Sequence, residues 1–136
     1  MLSNPPIRTI LLVEDEDMVR TVLAVALEDA GFRVIEARNG IEACERLDQG
    51  ADLVLTDIIM PEMDGIELVN HIRDRHPRIP VIGMTAGMRD LVHPLVSVLA
   101  ARGVDPVLLK PFDPEVMVDA VRRRLSQCRI PVRADG

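Results

Sequence analysis

Five polar residues stand at the ends of four short apolar runs. Glu14 and Asp15 follow Ile10–Val13, Asp57 follows Leu53–Thr56, Thr85 follows Pro80–Met84, and Lys110 follows Val104–Leu109. Carboxylates brought together repel one another, by about 4 kcal/mol for a pair 4 Å apart at an effective dielectric of 20. A hard divalent cation relieves that repulsion. Mg²⁺ prefers oxygen ligands and commonly keeps waters plus one or two carboxylates. A cation so held draws a phosphate oxygen, the Lys110 ammonium can neutralise a second, and the Thr85 hydroxyl can donate to a third. Phosphoryl transfer needs chiefly this positioning and charge stabilisation. An Asp carboxylate forming an acyl phosphate is an established covalent strategy.

The elements around these residues must bring them together. Ile10–Val13, Arg33–Ala37, Leu53–Thr56, Pro80–Met84 and Val104–Leu109 read as strands, several of them apolar throughout. Helical patterns lie between them. Asp17–Ala30 carries Val19, Val22, Leu23, Ala26 and Leu27 at helical spacing and stops at Gly31. On that reading Met18, Thr21 and Val25 form an outer stripe, two-thirds of it apolar. Asn39-Gly40 reads as a turn before a short helix, Ile41–Leu47. Pro61–Gly65 reads as a loop before Ile66–Arg75. In the last helix Asp113 can cap, Pro114 fits the first position, and Met117, Val121 and Leu125 face inward. The regular helix before the fifth strand is expected to start only near Pro94, leaving Gly87–His93 as a loop.

Five strands separated by helices predict an α/β fold, a parallel sheet with helices on both faces. Such sheets bind ligands outside the carboxyl ends of their strands. The three acids, the hydroxyl and the ammonium therefore converge on one edge. Taken singly, each residue has a plainer reading. Asp57 fits a turn or cap, Glu14–Asp17 a solvated run at a helix start, Thr85 a helix cap, and Lys110 a surface lysine. Their recurrence at four strand ends favours the shared site.

The chain has 136 residues, enough for one domain with a core. Boundaries are expected at 1–7 for a flexible lead-in, 8–126 for the domain and 127–136 for a flexible tail. The net charge of −6 argues against direct nucleic-acid contact, which needs clustered Lys and Arg. The one basic run, Arg122–Arg124, lies near a helix end, where cations are favoured anyway. Cys44 and Cys128 lack metal-ligand spacing, and a reduced cytoplasmic setting is expected. No apolar run reaches the roughly 18 residues that span a membrane.

The ordered pieces Ile10–Glu16 (ILLVEDE), Asp52–Asp57 (DLVLTD), Met60-Pro61 with Asp64-Gly65, Met84–Ala86 (MTA) and Lys110–Phe112 (KPF) resemble response-regulator receiver domains of two-component signalling. The resemblance covers about residues 8 to 126. It implies a doubly wound five-stranded sheet of flavodoxin-like order 2-1-3-4-5. It implies Asp57 as phosphoacceptor, with Mg²⁺ held by Glu14, Asp15, Asp57 and the Ile59 backbone carbonyl. Thr85 and Lys110 would read the phosphorylated state, and Lys110-Pro111 would be a cis peptide. The implied donor is a histidine kinase or histidine phosphotransfer protein, whose helical bundle meets the first helix. The output partner is an unknown protein. The implied role is a signalling switch that catalyses only its own phosphoryl transfer and slow self-dephosphorylation.

Other functions fit less well. A Mg²⁺-dependent phosphatase with an Asp nucleophile would carry a second Asp two residues later, and Ile59 stands there. A flavodoxin-like cofactor binder would need a Gly-rich phosphate cradle after the first strand, where Glu14 and Asp15 stand instead. An unphosphorylated scaffold would not need the full set of site residues. The sequence also departs from the family. Val107 stands where many receivers have an aromatic switch residue, Tyr and Trp are absent, and the Thr85–Lys110 stretch is long. No output domain is expected in the chain.

Overall fold

The computed structural model describes residues 6–60, 65–86 and 96–129. Strands and helices alternate: β1 (Thr9–Val13), α1 (Asp17–Asp29), β2 (Arg33–Ala37), α2 (Gly40–Arg46), β3 (Leu53–Asp57), α3 (Gly65–Arg75), β4 (Val81–Thr85), then helical residues 96–101 as α4, β5 (Val104–Leu109) and α5 (Pro114–Arg129). All four strand pairings are parallel, in the order β2-β1-β3-β4-β5. The chain order reverses between β1 and β3, which opens a crevice at their carboxyl ends.

The apolar strands build two cores because successive side chains point to opposite faces. Ile10, Leu12, Leu53, Leu55, Ile82 and Met84 pack under Leu23 and Leu27 of α1 and Met117, Val121 and Leu125 of α5. Leu11, Val13, Val54 and Val81 pack under Ala43 of α2, Leu68, Val69 and Ile72 of α3 and Leu99 of α4. Burial on both faces explains why these strands read as continuous apolar runs rather than alternating ones. Among the described residues no helix is long and apolar enough to cross a membrane.

Several boundaries differ from the sequence reading. Asn39 is a helix cap, its side chain accepting from the Glu42 amide at 2.8 Å, so α2 begins at Gly40. Helix α5 continues to Arg129, which makes three residues assigned to the tail helical. Val22, expected inside, is 54% exposed, while Ala24 is buried. The buried arc of α1 is rotated toward Ala24 and Arg20. Gly31 ends α1 at φ +98°, the left-handed conformation that favours glycine. On β5 two residues, Asp105 and Pro106, oppose one on β4, a bulge on an edge strand where proline is tolerated. Residues 61–64, and the expected Gly87–His93 loop with Pro94, lie outside the described residues.

One glycine fixes the segment after β3. The Gly65 amide donates to the Ile58 carbonyl at 2.6 Å, and a Cβ there would sit 2.5 Å from the Ile58 Cα and carbonyl oxygen. Both neighbours are backbone, so nothing flexible can give way. Gly65→Ala is expected to destabilise the protein by about 1–3 kcal/mol, the usual cost of overpacking. Urea unfolding midpoints check this, and an unchanged midpoint would contradict the contact.

Candidate functional site

The residues singled out at the strand ends meet at the crevice. Glu14, Asp15 and Asp57 each offer a carboxylate oxygen, and these atoms lie within 4.8 Å of one another. Glu14 and Asp57 are buried, whereas Asp15 is exposed. Lys110 reaches across from the end of β5. Its Nζ lies 2.5 Å from Glu14 Oε1 and 2.8 Å from Asp57 Oδ1. Among the described residues three carboxylates thus face one ammonium, and the imbalance is negative. A cavity of about 310 Å³ opens above them, lined by Asp15, Glu16, Asp57, Ile59, Thr85, Ala86 and Lys110.

Hydrogen bonds hold the Glu14, Asp57 and Lys110 segments in place. The Glu14 amide donates to the Ala37 carbonyl at 3.0 Å, tying the end of β1 to β2. Glu14 Oε2 accepts from the Glu16 amide at 3.1 Å. The Thr56 hydroxyl donates to the Asp57 carbonyl at 2.8 Å, and the Ile58 amide to the Met84 carbonyl at 2.9 Å. The Lys110 amide donates to the Thr85 carbonyl at 2.8 Å, which ties the ends of β4 and β5. Thr85 is buried at the cavity wall, and the Lys110-Pro111 peptide is cis. Ile59 is 59% exposed at the rim, while Ile58 packs inward against Gly83. Val107 is half-buried against the α3 and α4 side of the sheet.

Electrostatics follow from this packing. Burial raises the Asp57 carboxyl to about 7, and the nearby Glu14 charge pushes the same way against the opposing Lys110 hydrogen bond. Burial alone would lower the Lys110 ammonium, but bonds to Asp57 and Glu14 overcome it and hold its pKa above the ordinary value. Hard oxygen donors with excess negative charge, two of them desolvated, fit a small divalent cation. An apolar groove of about 560 Å³ adjoins the site, with Met18, Val19 and Val22 of α1 facing Pro111, Phe112 and Pro114.

A sequence profile of the response regulator receiver domain matches residues 10–122. This chain belongs to the response-regulator receiver family. The receiver is 34% identical over 118 residues to the CAI-1 autoinducer sensor kinase/phosphatase CqsS of Vibrio cholerae, covering 84% of this chain and 17% of that protein. It is 36% identical over 122 residues to the sensor kinase CckA of Brucella abortus, covering 88% and 13%. It is 34% identical over 122 residues to a transcriptional regulatory protein, the CpxR homolog of Haemophilus influenzae, covering 90% and 52%. The chain therefore spans well under two thirds of these relatives. The Vibrio cholerae chemotaxis protein CheY4 superposes with a TM-score of 0.80 at 27% identity, covering 88% of this receiver and 99% of that chain.

Two residues of this region escaped the sequence reading. Arg20 and Glu36 pair at 3.2 Å beside the end of β1, and Arg20 also donates to the Glu14 carbonyl. The only signal was the spacing of Asp17 and Arg20 on one helix face, which surface helices show routinely.

The raised Asp57 carboxyl has a consequence for metal-free protein. The folded state holds a proton that the unfolded state releases near its ordinary value, so stability falls as pH rises from about 4 to about 7 and levels off above. Between pH 5 and pH 7.5, in chelator, wild type is expected to lose on the order of 2 kcal/mol more than Asp57→Asn. Parallel pH profiles of urea unfolding check this, and superimposable slopes would contradict it.

Proposed function

We propose that this receiver is a phosphorylation switch that accepts a phosphoryl group on Asp57 in a Mg²⁺-dependent reaction. The observation that carries the reading is the meeting of Glu14, Asp15 and Asp57 around the Lys110 ammonium. Glu14, Asp15, Asp57 and the Ile59 backbone carbonyl would hold Mg²⁺, which supplies positive charge for the acids and for the phosphoryl oxygens. An Asp57 carboxylate oxygen attacks phosphorus, and the bond from phosphorus to the donor's nitrogen or oxygen breaks. The donor leaves with that electron pair. Lys110, already against Asp57, neutralises a phosphoryl oxygen, and the Thr85 hydroxyl donates to another. These contacts exist only in the phosphorylated state, and such a difference is what shifts a conformational equilibrium.

Ile59 presents an apolar side chain at the cavity rim, with no group to orient an attacking water, which favours slow self-dephosphorylation. Val107 is β-branched and has no ring to swing, so the aromatic version of the family's switch is not available here. The phosphodonor is a histidine kinase or histidine phosphotransfer protein, and the output is a protein contact in the cytoplasm. The groove beside the site favours a helical donor. Met18 is 82% exposed, and Val22 and Val25 are also exposed on α1. Apolar patches of this kind mark contacts, and methionine adapts to them.

Incubation with acetyl phosphate should add one phosphoryl group to the intact mass, only with Mg²⁺ present and not in Asp57→Asn. Full modification in a chelator, or of that variant, would overturn the reading. Val22→Glu lies on the groove and not in the core, so acetyl phosphate modification should persist. Transfer from a phosphohistidine donor should slow by about tenfold, corresponding to roughly 1.4 kcal/mol of lost docking. Equal loss in both assays would point to misfolding instead of docking.

A further inference from the structure

Arg20 lies one turn into α1, yet its guanidinium folds back over the end of β1. Nη1 donates to the Glu14 carbonyl at 3.0 Å, Nη2 to Asp17 Oδ1 at 2.6 Å, and Nε to Glu36 Oε1 at 3.2 Å. Its side chain is only 12% exposed. The Glu14 peptide groups are thereby fixed on both sides. The N–H is held by the Ala37 carbonyl on β2, and the C=O is held by Arg20. A peptide unit is planar, so fixing the Glu14 carbonyl fixes the direction in which the chain enters Asp15.

Ordinary capping does not do this work. Glu16, the N-cap of α1, makes no side-chain cap hydrogen bond. A guanidinium beside a cation site would by itself repel the cation. Here Asp17 and Glu36 offset its charge, so Arg20 contributes geometry without adding net positive charge to the pocket.

We infer that Arg20 is a positioning residue for the acidic pair, acting through the Glu14 carbonyl to hold Asp15 where it can take a divalent cation. The inference rests on the reading of the pocket as a Mg²⁺ site and adds a residue that never touches the metal.

The test titrates Mg²⁺ alone into the full chain by calorimetry, well below the unfolding temperature, with amide NMR spectra of the metal-free proteins alongside. Arg20→Ala should weaken Mg²⁺ binding by about tenfold, the lower end of what outer-shell partners contribute. It should also move the Asp15 and Glu16 amide signals before any metal is added. Glu36→Gln, which removes one anchor of the guanidinium, should give a smaller loss in the same direction. Val121→Ala, a core change on α5, lowers stability without touching this turn and should keep wild-type affinity. Wild-type affinity in Arg20→Ala, or equal loss in Val121→Ala, would overturn the inference. Should Arg20→Ala fail to fold, wild-type affinity in Glu36→Gln would overturn it equally. A wild-type protein that takes up no Mg²⁺ would overturn the reading of the pocket and the inference with it.

Discussion

The Lys110 ammonium bridging Glu14 and Asp57 is the interaction on which the site turns. Two carboxylates removed from water at the end of a sheet would be costly without a partner, because desolvation penalises charge strongly. One ammonium answers two of them and leaves the third, Asp15, facing solvent at the cavity mouth. The pocket is thus partly neutralised and still negative. That residual charge makes it receptive to a dication, while burial first, and the Glu14 charge after it, keep the Asp57 carboxyl high in the metal-free protein. Charge balance and reactivity are two aspects of one arrangement.

Holding that bridge requires four strands to end at the same level. Parallel pairing supplies this directly, since every strand carries its carboxyl end to one edge. The reversal between β1 and β3 leaves the crevice over those two strands, with Lys110 entering from the far side on β5. Backbone bonds then lock each end: Glu14 to β2, Ile58 to β4, and Lys110 to β4. Glycines permit two of the close approaches. Gly65 admits the Ile58 backbone, and Gly83 admits the Ile58 side chain, which keeps the residue that follows Asp57 from drifting. The Arg73 guanidinium does comparable work at the opposite edge, donating to the Ile79 and Arg102 carbonyls at 2.7 and 2.8 Å.

The surface of α1 borders the pocket on two flanks. Its buried arc centres on Leu23, Ala24 and Leu27, and Arg20 is drawn inward on the same flank by Glu14 and Glu36. That rotation turns Val22 outward beside Met18, toward Phe112 and Pro114. The polar clamp that orders the acidic pair and the apolar groove next to the pocket are therefore two sides of one helix.

The sequence by itself determined the fold class, the five strands, the sheet covered on both faces and five of the residues that meet at the crevice. These rest on local pattern. Apolar runs such as Leu53–Leu55 report burial on both faces, and a polar residue closing each run reports the strand's end. With parallel strands, those ends have one place to meet. Asp57, Glu14, Asp15, Thr85 and Lys110 were legible for that reason. Tertiary structure alone decided three other matters. It turned Val22 outward and Ala24 inward, because a helix's rotation depends on long-range partners that periodicity does not contain. It joined Arg20 to Glu14 and Glu36, since a guanidinium six residues from one partner and sixteen from the other leaves no spacing signal. It also set the Lys110 bridge to Glu14, ninety-six residues away along the chain, which only the sheet order brings within hydrogen-bond reach.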